Sequence, residues 1–344
     1  MPKRVTISDV AELAGVHKAT VSRALNGLTE HQVNSATAKK VQRAAKQLGY
    51  IPNIMARGLR TSLSMTVGVI VPDLTNPIFP PIVRGIENYL SPRGYTALVA
   101  NTDGRDSQEH AAFDSLLERQ VDGFIMATGQ TKHPLLVDAY NRDIRAVMVN
   151  RGSVEVPYPL VAGDDASGIA AAVNHLFELG HRDILHLAGP RNFTTSLIRA
   201  EAFTAACSAL PGLSHRIVVA PALNVDSGQS SMDAILMSGK PAPKAVIAGN
   251  DLLALGIMRS LRSHGLSCPA DVSIVGFNDM PFAQDFQPPL TTVRVPHLEL
   301  GAEAARLLLA AISAEVQRPV TVTLPVSLIV RESTAPPRGT AESS

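Results

Sequence analysis

From Thr66 onward the chain alternates short apolar runs rich in β-branched residues with longer amphipathic segments. TVGVIVP is a continuous apolar run, which predicts a strand buried on both faces. PIVRGIENYLSPRG follows, with Ile82, Val83, Ile86, Tyr89 and Leu90 on one side of a helix. Strand YTALVA, helix QEHAAFDSLLERQ, strand DGFIMA, helix HPLLVDAYNRD and strand RAVMVN complete a first series. Such alternation predicts a parallel sheet with helices on its faces. A second series begins with helix GIAAAVNHLFELG and strand ILHLAG and continues through SLIRAEAFTAACSAL, RIVVA, QSSMDAILMSG, AVIAG and DLLALGIMRSLRSHG to VSIVGF. Two doubly wound α/β halves predict two lobes with a cleft between them. In sheets of this type ligands bind outside the carboxyl ends of the strands.

The first sixty residues obey a different rule. Thr6 or Ser8 can cap a helix over DVAELA that stops at Gly15, with Val10, Leu13 and Ala14 as its apolar face. A second short helix is expected from about Lys18 to Leu25, with Val21 and Leu25 inward. Lys18, Ala19, Ser22, Arg23 and Asn26 then fall mostly on its outer side. A third helix, about Ser35 to Leu48, has Val41, Ala44, Ala45 and Leu48 at helical spacing and Lys39, Lys40, Arg43 and Lys46 opposite. Two short helices joined by a tight glycine-containing turn, with a third in support, form a helix-turn-helix plan. A small helical protein-binding module is the alternative on this pattern alone.

Charge sharpens the choice. The net charge of +1 divides unevenly: residues 1–60 hold ten Lys/Arg against three acids, giving +7, and the remainder is 21 − 27 = −6. A basic head on a mildly acidic body suits a polyanionic partner, although a solvated basic face would look the same. A helix that enters a major groove needs outer residues that reach base edges and phosphates. Arg23 can make two bonds to guanine, and Lys18 can reach a base acceptor or a phosphate. Thr20, Ser22, Asn26 and Asn34 are short donors suited to phosphate oxygens, which set register.

TISDVAELAGVHKATVSRALN followed by NSATAKKVQRAAKQLGYIPN resembles the head of the LacI/GalR family of transcriptional regulators. The resemblance implies base reading by Lys18, Ala19 and Arg23, with Thr6, Ser8, His17, Thr20, Ser22, Asn26 and Asn34 among the further DNA contacts. His17 departs from the family's usual Ser and is a poorer helix cap, so it is expected to touch phosphate or simply to be tolerated. Ala38 stands where a basic residue is common, which implies one phosphate contact fewer. PNIMARGLR then matches the family's hinge helix. Gly58 weakens that helix by about 1 kcal/mol relative to Ala, and a helix this short is marginal in water. The resemblance implies a hinge that folds on DNA, with Asn53 and Ala56 as contacts and Leu59 as a wedge in the minor groove.

VPDLTNPIF, LVAGDDASG, HLFELGHRDILHLAGP, DVSIVGFND and PVSLIVRESTAPP carry the resemblance to about residue 337. It implies a periplasmic-binding-protein type I core behind an all-α helix-turn-helix head. The expected division is a DNA-binding domain at 1–50, a hinge and linker at 51–62, a core at 63–337 and a disordered tail at 338–344. Within the core, the first lobe is expected at about 63–162 plus 292–324 and the second at about 163–291 plus 325–337. Candidate effector contacts lie at strand ends: Asp73, Asn76 and Phe79, then Asn150 and Asp164, then Arg199, Asn250 and Asn278. Asn278 replaces a usual Asp, which favours an effector carrying its own negative charge, such as a sugar acid. Arg199 can fork two bonds to a carboxylate or a hydroxyl pair.

The sequence holds no G-x-S-x-G, P-loop, H-E-x-x-H or G-x-G-x-x-G. No catalysis and no cofactor are expected. Cys207 and Cys268 are too few for a metal site or a disulfide framework. MPKRVTISDV has no apolar stretch of the kind a secretory signal needs. A pure solute-binding protein would show such a signal and no basic head. The expected partners are near-palindromic operator DNA, a small-molecule effector and a second copy of the chain, in the cytoplasm on the nucleoid.

Overall fold

A computed structural model describes residues 5–25, 30–50, 63–313 and 318–338. The chain divides into two compact units, residues 1–64 and 65–344.

The first unit contains helices α1 (Ile7–Ala14), α2 (Lys18–Ala24) and α3 (Ser35–Leu48). Val10, Ala11, Ala14, Val21, Ala24, Ala38, Val41, Ala44 and Ala45 form its core. Small side chains predominate, so the helices approach closely around three wholly buried valines, Val10, Val21 and Val41. One expectation is corrected here. Leu13 is 44% exposed, whereas Ala11, on the opposite flank of the Val10–Ala14 line, is 5% exposed and packs in the core. Ala38 is 3% exposed and packs in the core.

The second unit is two six-stranded sheets flanked by helices. In the first lobe the strands are β1 (Thr66–Val71), β2 (Thr96–Asn101), β3 (Phe124–Met126), β4 (Ala146–Val149), β5 (Leu160–Gly163) and β11 (Thr321–Leu324). Their order is β11-β5-β4-β3-β1-β2, all parallel. Helices α4 (Phe79–Leu90), α5 (Asp106–Glu118) and α6 (Pro134–Asn141) connect them. In the second lobe the strands are β6 (Asp183–Ala188), β7 (Ser214–Val219), β8 (Ala245–Ala248), β9 (Ser273–Asn278), β10 (Thr291–Arg294) and β12 (Ser327–Ile329). Their order is β12-β10-β9-β8-β6-β7, and β12 alone runs antiparallel. Helices α7 (Asp165–Glu178), α8 (Thr194–Ser208), α9 (Val225–Met237) and α10 (Asp251–Ser263) belong to this lobe. Helix α11 (His297–Ser313) returns to the first lobe and packs on α4.

The chain passes between lobes three times: between β5 and α7, between β10 and α11, and between β11 and β12. The middle passage lies later than expected. Thr291–Arg294 pairs with β9 and β12, so the crossing follows Arg294 rather than Thr291. Arg338, assigned above to a disordered tail, donates to Asp271 at 3.1 Å; residues 339–344 lie outside the described residues.

The α4–α11 contact depends on two glycines facing each other. A Cβ on Gly85 would lie 1.9 Å from the Leu298 carbonyl oxygen, and one on Gly301 would lie 2.0 Å from the Ile82 carbonyl oxygen. No side chain fits at either position without separating the helices.

Candidate nucleic-acid interface and effector cleft

In the head, Gly15 adopts φ +60° and ends α1, its amide reaching the Glu12 carbonyl. This left-handed residue supplies the tight turn into α2. His17 then caps α2: its Nδ1 accepts from the Ala19 amide at 3.2 Å. The imidazole thus takes over the Ser role, which the sequence alone did not reveal. Val21 and Ala24 face the core, leaving Lys18, Ala19 and Arg23 exposed and Thr20 and Ser22 half-buried.

Thr6 caps α1, where the Asp9 carboxylate accepts from its amide at 2.7 Å and its hydroxyl at 2.8 Å. Ser8 lies inside α1 rather than at its cap. Asn34 caps α3 through the Ala36 amide at 2.9 Å. Lys39, Lys40, Arg43 and Lys46 are all exposed on α3. Asn26, Asn53, Ala56 and Leu59 lie outside the described residues.

In the body, the parallel strands of each sheet end on one edge, and the candidate effector residues gather there. Backbone strain gathers with them: Asn150 has φ +67°, Asn278 +115° and Asp279 +50°. Non-glycine residues held in this region are costly and cluster where a loop must aim a side chain.

Arg199 is the hub of the deep end. It is 5% exposed. One terminal nitrogen donates to the Gly249 carbonyl at 2.7 Å and the other to Asp165 Oδ1 at 3.0 Å. Its guanidinium carbon lies 3.7 Å from the Phe277 ring centroid. Each terminal nitrogen therefore spends one of its two N–H donors inside the protein. Its Nε is buried without a partner.

Burial raises the Asp165 carboxyl despite the cation beside it. Arg151, also buried, is lowered to about 10 by burial first and by the nearby Arg199 charge second. His297 opens α11 at the lobe crossing. Burial and then Arg199 hold it down to about 4, so it is neutral near pH 7.

The other candidates are engaged locally. Asp73 Oδ1 accepts from the amide and hydroxyl of Thr75 at 2.8 and 2.6 Å. Asn76 Oδ1 accepts weakly from the Ile78 amide at 3.4 Å. Phe79 is 1% exposed and belongs to the core at the first turn of α4. The Asn150 amide donates to the Val161 carbonyl. Asp164 caps α7 through Ser167, and Asn250 caps α10 through Leu253 while donating to the Leu223 carbonyl. Asn278 alone of these has a buried side-chain oxygen with no partner.

The two lobes touch along the mouth of the cleft. The Thr131 amide donates to the Asn192 carbonyl at 2.8 Å, and the Asn192 side chain donates to Gln130 at 3.3 Å. The Gly152 amide donates to the Thr194 hydroxyl at 3.2 Å, and Arg151 stacks on Phe193 at 4.1 Å. Asp165, His297 and Phe193 escaped the sequence reading. Asp165 and His297 each stand first in a helix beside the cleft, and that position was the signal available for them.

Among the described residues no helix is long and apolar enough to cross a membrane. Residues 6–53 match the model for bacterial regulatory proteins of the lacI family, and residues 173–334 match a periplasmic binding protein-like domain. The transcriptional repressor CytR of Escherichia coli strain K12 is 33% identical over 307 residues, covering 88% of this chain and 89% of that repressor. The Lac repressor dimer bound to operator and the anti-inducer ONPF superposes with a TM-score of 0.82 at 29% identity, covering 97% of this chain and 100% of that one. The CelR regulator in complex with cellobiose has a TM-score of 0.72 at 32% identity, covering 96% and 100%. The basic three-helix head, the two-lobed body and these likenesses agree: the chain belongs to the lacI family of bacterial regulatory proteins, which are DNA-binding transcriptional regulators and not enzymes.

Proposed function

We propose that this chain is a repressor whose homodimer holds a near-palindromic operator and responds to a small molecule in the cleft between its lobes. The observation that carries the DNA half is the split of α2: Val21 and Ala24 are buried while Lys18, Ala19 and Arg23 face outward. Those three residues read base edges in the major groove. Thr6, Ser8, His17, Thr20, Ser22, Asn26 and Asn34 hold the phosphate backbone around them. Lac repressor binding operator as a dimer supports the same assembly here, with one half-site per head.

Residues 1–50 form the reading head, 51–62 the hinge, and 63–337 the sensing and dimerising core. Asn53, Ala56 and Leu59 engage DNA when the hinge folds, and Leu59 opens a base step in the minor groove. The hinge leads directly into β1 of the first lobe. A ligand that changes the angle between lobes therefore acts on the hinge, which couples two sites through a two-state element. Asp73, Asn76, Phe79, Asn150, Asp164, Arg199, Asn250 and Asn278 line or brace the ligand site, and cellobiose bound to CelR supports a small hydroxylated effector. The working location is the cytoplasm, on the bacterial nucleoid.

Selection from a random duplex pool, followed by fluorescence anisotropy at several salt concentrations, tests this. The expected result is an enriched two-fold sequence and a steep loss of affinity with salt. Arg23→Ala should relax discrimination at one base position by about 1–3 kcal/mol. A pool that enriches no sequence would sink the reading.

A further inference from the structure

We propose that the effector is a sugar acid whose carboxylate is held by Arg151, an inference that rests on the reading of the cleft as the effector site. Two guanidiniums are buried at the cleft. Arg151 and Arg199 are 7% and 5% exposed, and the one carboxylate between them, Asp165, is bonded to Arg199. Among the described residues the Arg151 side chain donates no hydrogen bond and forms no ion pair. Its described contact is the Phe193 ring at 4.1 Å, and its Nε is buried without a partner. The other acids at this end are bonded elsewhere: Asp279 to Arg294 and Arg331, each at 2.7 Å, Asp164 to Ser167, and Asp251 to Thr292 and Met280. His297 is neutral and adds no compensation. Arg151 is thus a buried cation at this end of the cleft with no carboxylate bonded to it.

A buried guanidinium with no counter-charge is costly, and a protein that keeps one is matched to something that supplies the anion. A free fork of donors fits a planar carboxylate through two bonds. The neighbouring unsatisfied atoms describe the rest of the molecule. Asn278 Oδ1 is a buried acceptor with no donor, and His297 Nε2 is a buried ring nitrogen with no partner. Both suit hydroxyl groups. A single carboxylate with several hydroxyls satisfies all three residues. A neutral sugar leaves Arg151 unpaired, and a phosphate monoester brings a second negative charge with no cation left to meet it.

The test is calorimetry on the full chain with gluconate, glucuronate and galacturonate, against glucose, galactose and glucose 6-phosphate. Arg151→Gln and Arg151→Lys are measured beside wild type. At least one acid should bind, about 10–100-fold more tightly than the neutral sugars. Arg151→Gln should erase most of that preference, and Arg151→Lys should restore part of it. Without ligand, Arg151→Gln should melt no lower than wild type, because it removes an uncompensated charge. Neutral sugars or the sugar phosphate binding as tightly as the acids would overturn the carboxylate and leave the effector reading standing. A lowered melting temperature for ligand-free Arg151→Gln would also overturn it, by making the guanidinium structural. No binding by any of the six, with operator affinity unmoved, would overturn both.

Discussion

Arg199 and Asp165 form an ion pair that is buried on both sides, 3.0 Å between nitrogen and oxygen, with their side chains 6% and 7% exposed. The pair joins α8 to the first turn of α7, and the Gly249 carbonyl beyond β8 takes the second arm of the guanidinium. It therefore ties α8, the first turn of α7 after the lobe crossing, and the end of β8 to one cation. Removing one member leaves the other charged and dry, which typically costs about 3–5 kcal/mol.

Arg199→Met should accordingly destabilise the core by an amount in that range. Asp165→Asn, which keeps a hydrogen-bond acceptor, should cost less, about 1–3 kcal/mol. The double variant Arg199→Met/Asp165→Leu should recover part of the sum, because neither charge is then stranded. Urea titration of the three variants reads this directly. Strict additivity would show that the two side chains act independently.

The facing glycines of α4 and α11 give a second prediction. Gly85→Ala and Gly301→Ala each push a methyl group into a backbone carbonyl of the opposite helix. Each should cost at least about 1–3 kcal/mol, the usual range for overpacking. The double variant should cost scarcely more than either single one, since the helices need separate only once. Because α11 begins at His297, the same separation should weaken effector binding. Thermal unfolding and ligand titration on the same samples check both effects, and a melting temperature unchanged by Gly85→Ala would refute the packing argument.

The alternation that predicts two α/β lobes was legible because each strand is a dense β-branched run and each helix has a 3.6-residue stripe. Strands β5, β10 and β11 were not legible as strands. LVAG, TTVR and TVTL are no shorter than β4 and β8, but they end in glycine or carry Thr and Arg where AVMV and AVIA are wholly apolar, and the expected lobe boundary consequently falls inside β10 instead of after it. In the head, Ala11 and Leu13 flank the Val10–Ala14 line equally, and only the placement of α2 and α3 decides that the Ala11 flank is buried. Asp164, Asn250 and Asn278 all read as polar residues at strand ends, yet the first two spend their side chains on helix caps and the third does not. That difference depends on φ and on neighbours distant in sequence. The Arg199–Asp165 pair spans 34 positions, so no local pattern discloses it.

His17 gives a third prediction. Its Nδ1 satisfies one of the free amides at the start of the recognition helix. His17→Ala should destabilise the head by about 0.5–2 kcal/mol, the usual value of an N-cap. His17→Ser should restore it. Amide exchange at Ala19 distinguishes the capping role from a phosphate contact: faster exchange in free His17→Ala supports the cap, and unchanged exchange with weaker operator binding would assign His17 to DNA alone.

Asp251 yields a prediction in pH. It is 1% exposed, its Oδ1 accepts from the Thr292 hydroxyl at 2.5 Å and its Oδ2 from the Met280 amide at 2.7 Å. Burial outweighs those bonds and lifts the carboxyl to about 7. In the unfolded chain an Asp loses its proton near pH 3.9. The folded state thus holds a proton that the unfolded state has released, and the stability this confers is full below about pH 4 and lost as pH rises towards 7. His186 and His297, both held down to about 4 by burial, act the other way and lose stability as pH falls below their ordinary value. Only the difference between wild type and Asp251→Asn isolates the carboxyl. The advantage of wild type over that variant should shrink from pH 5 to about pH 7 and level off by pH 8 in urea titrations. A difference that stays flat across the range would mean that Asp251 is ionised throughout, held so by Thr292 and Met280.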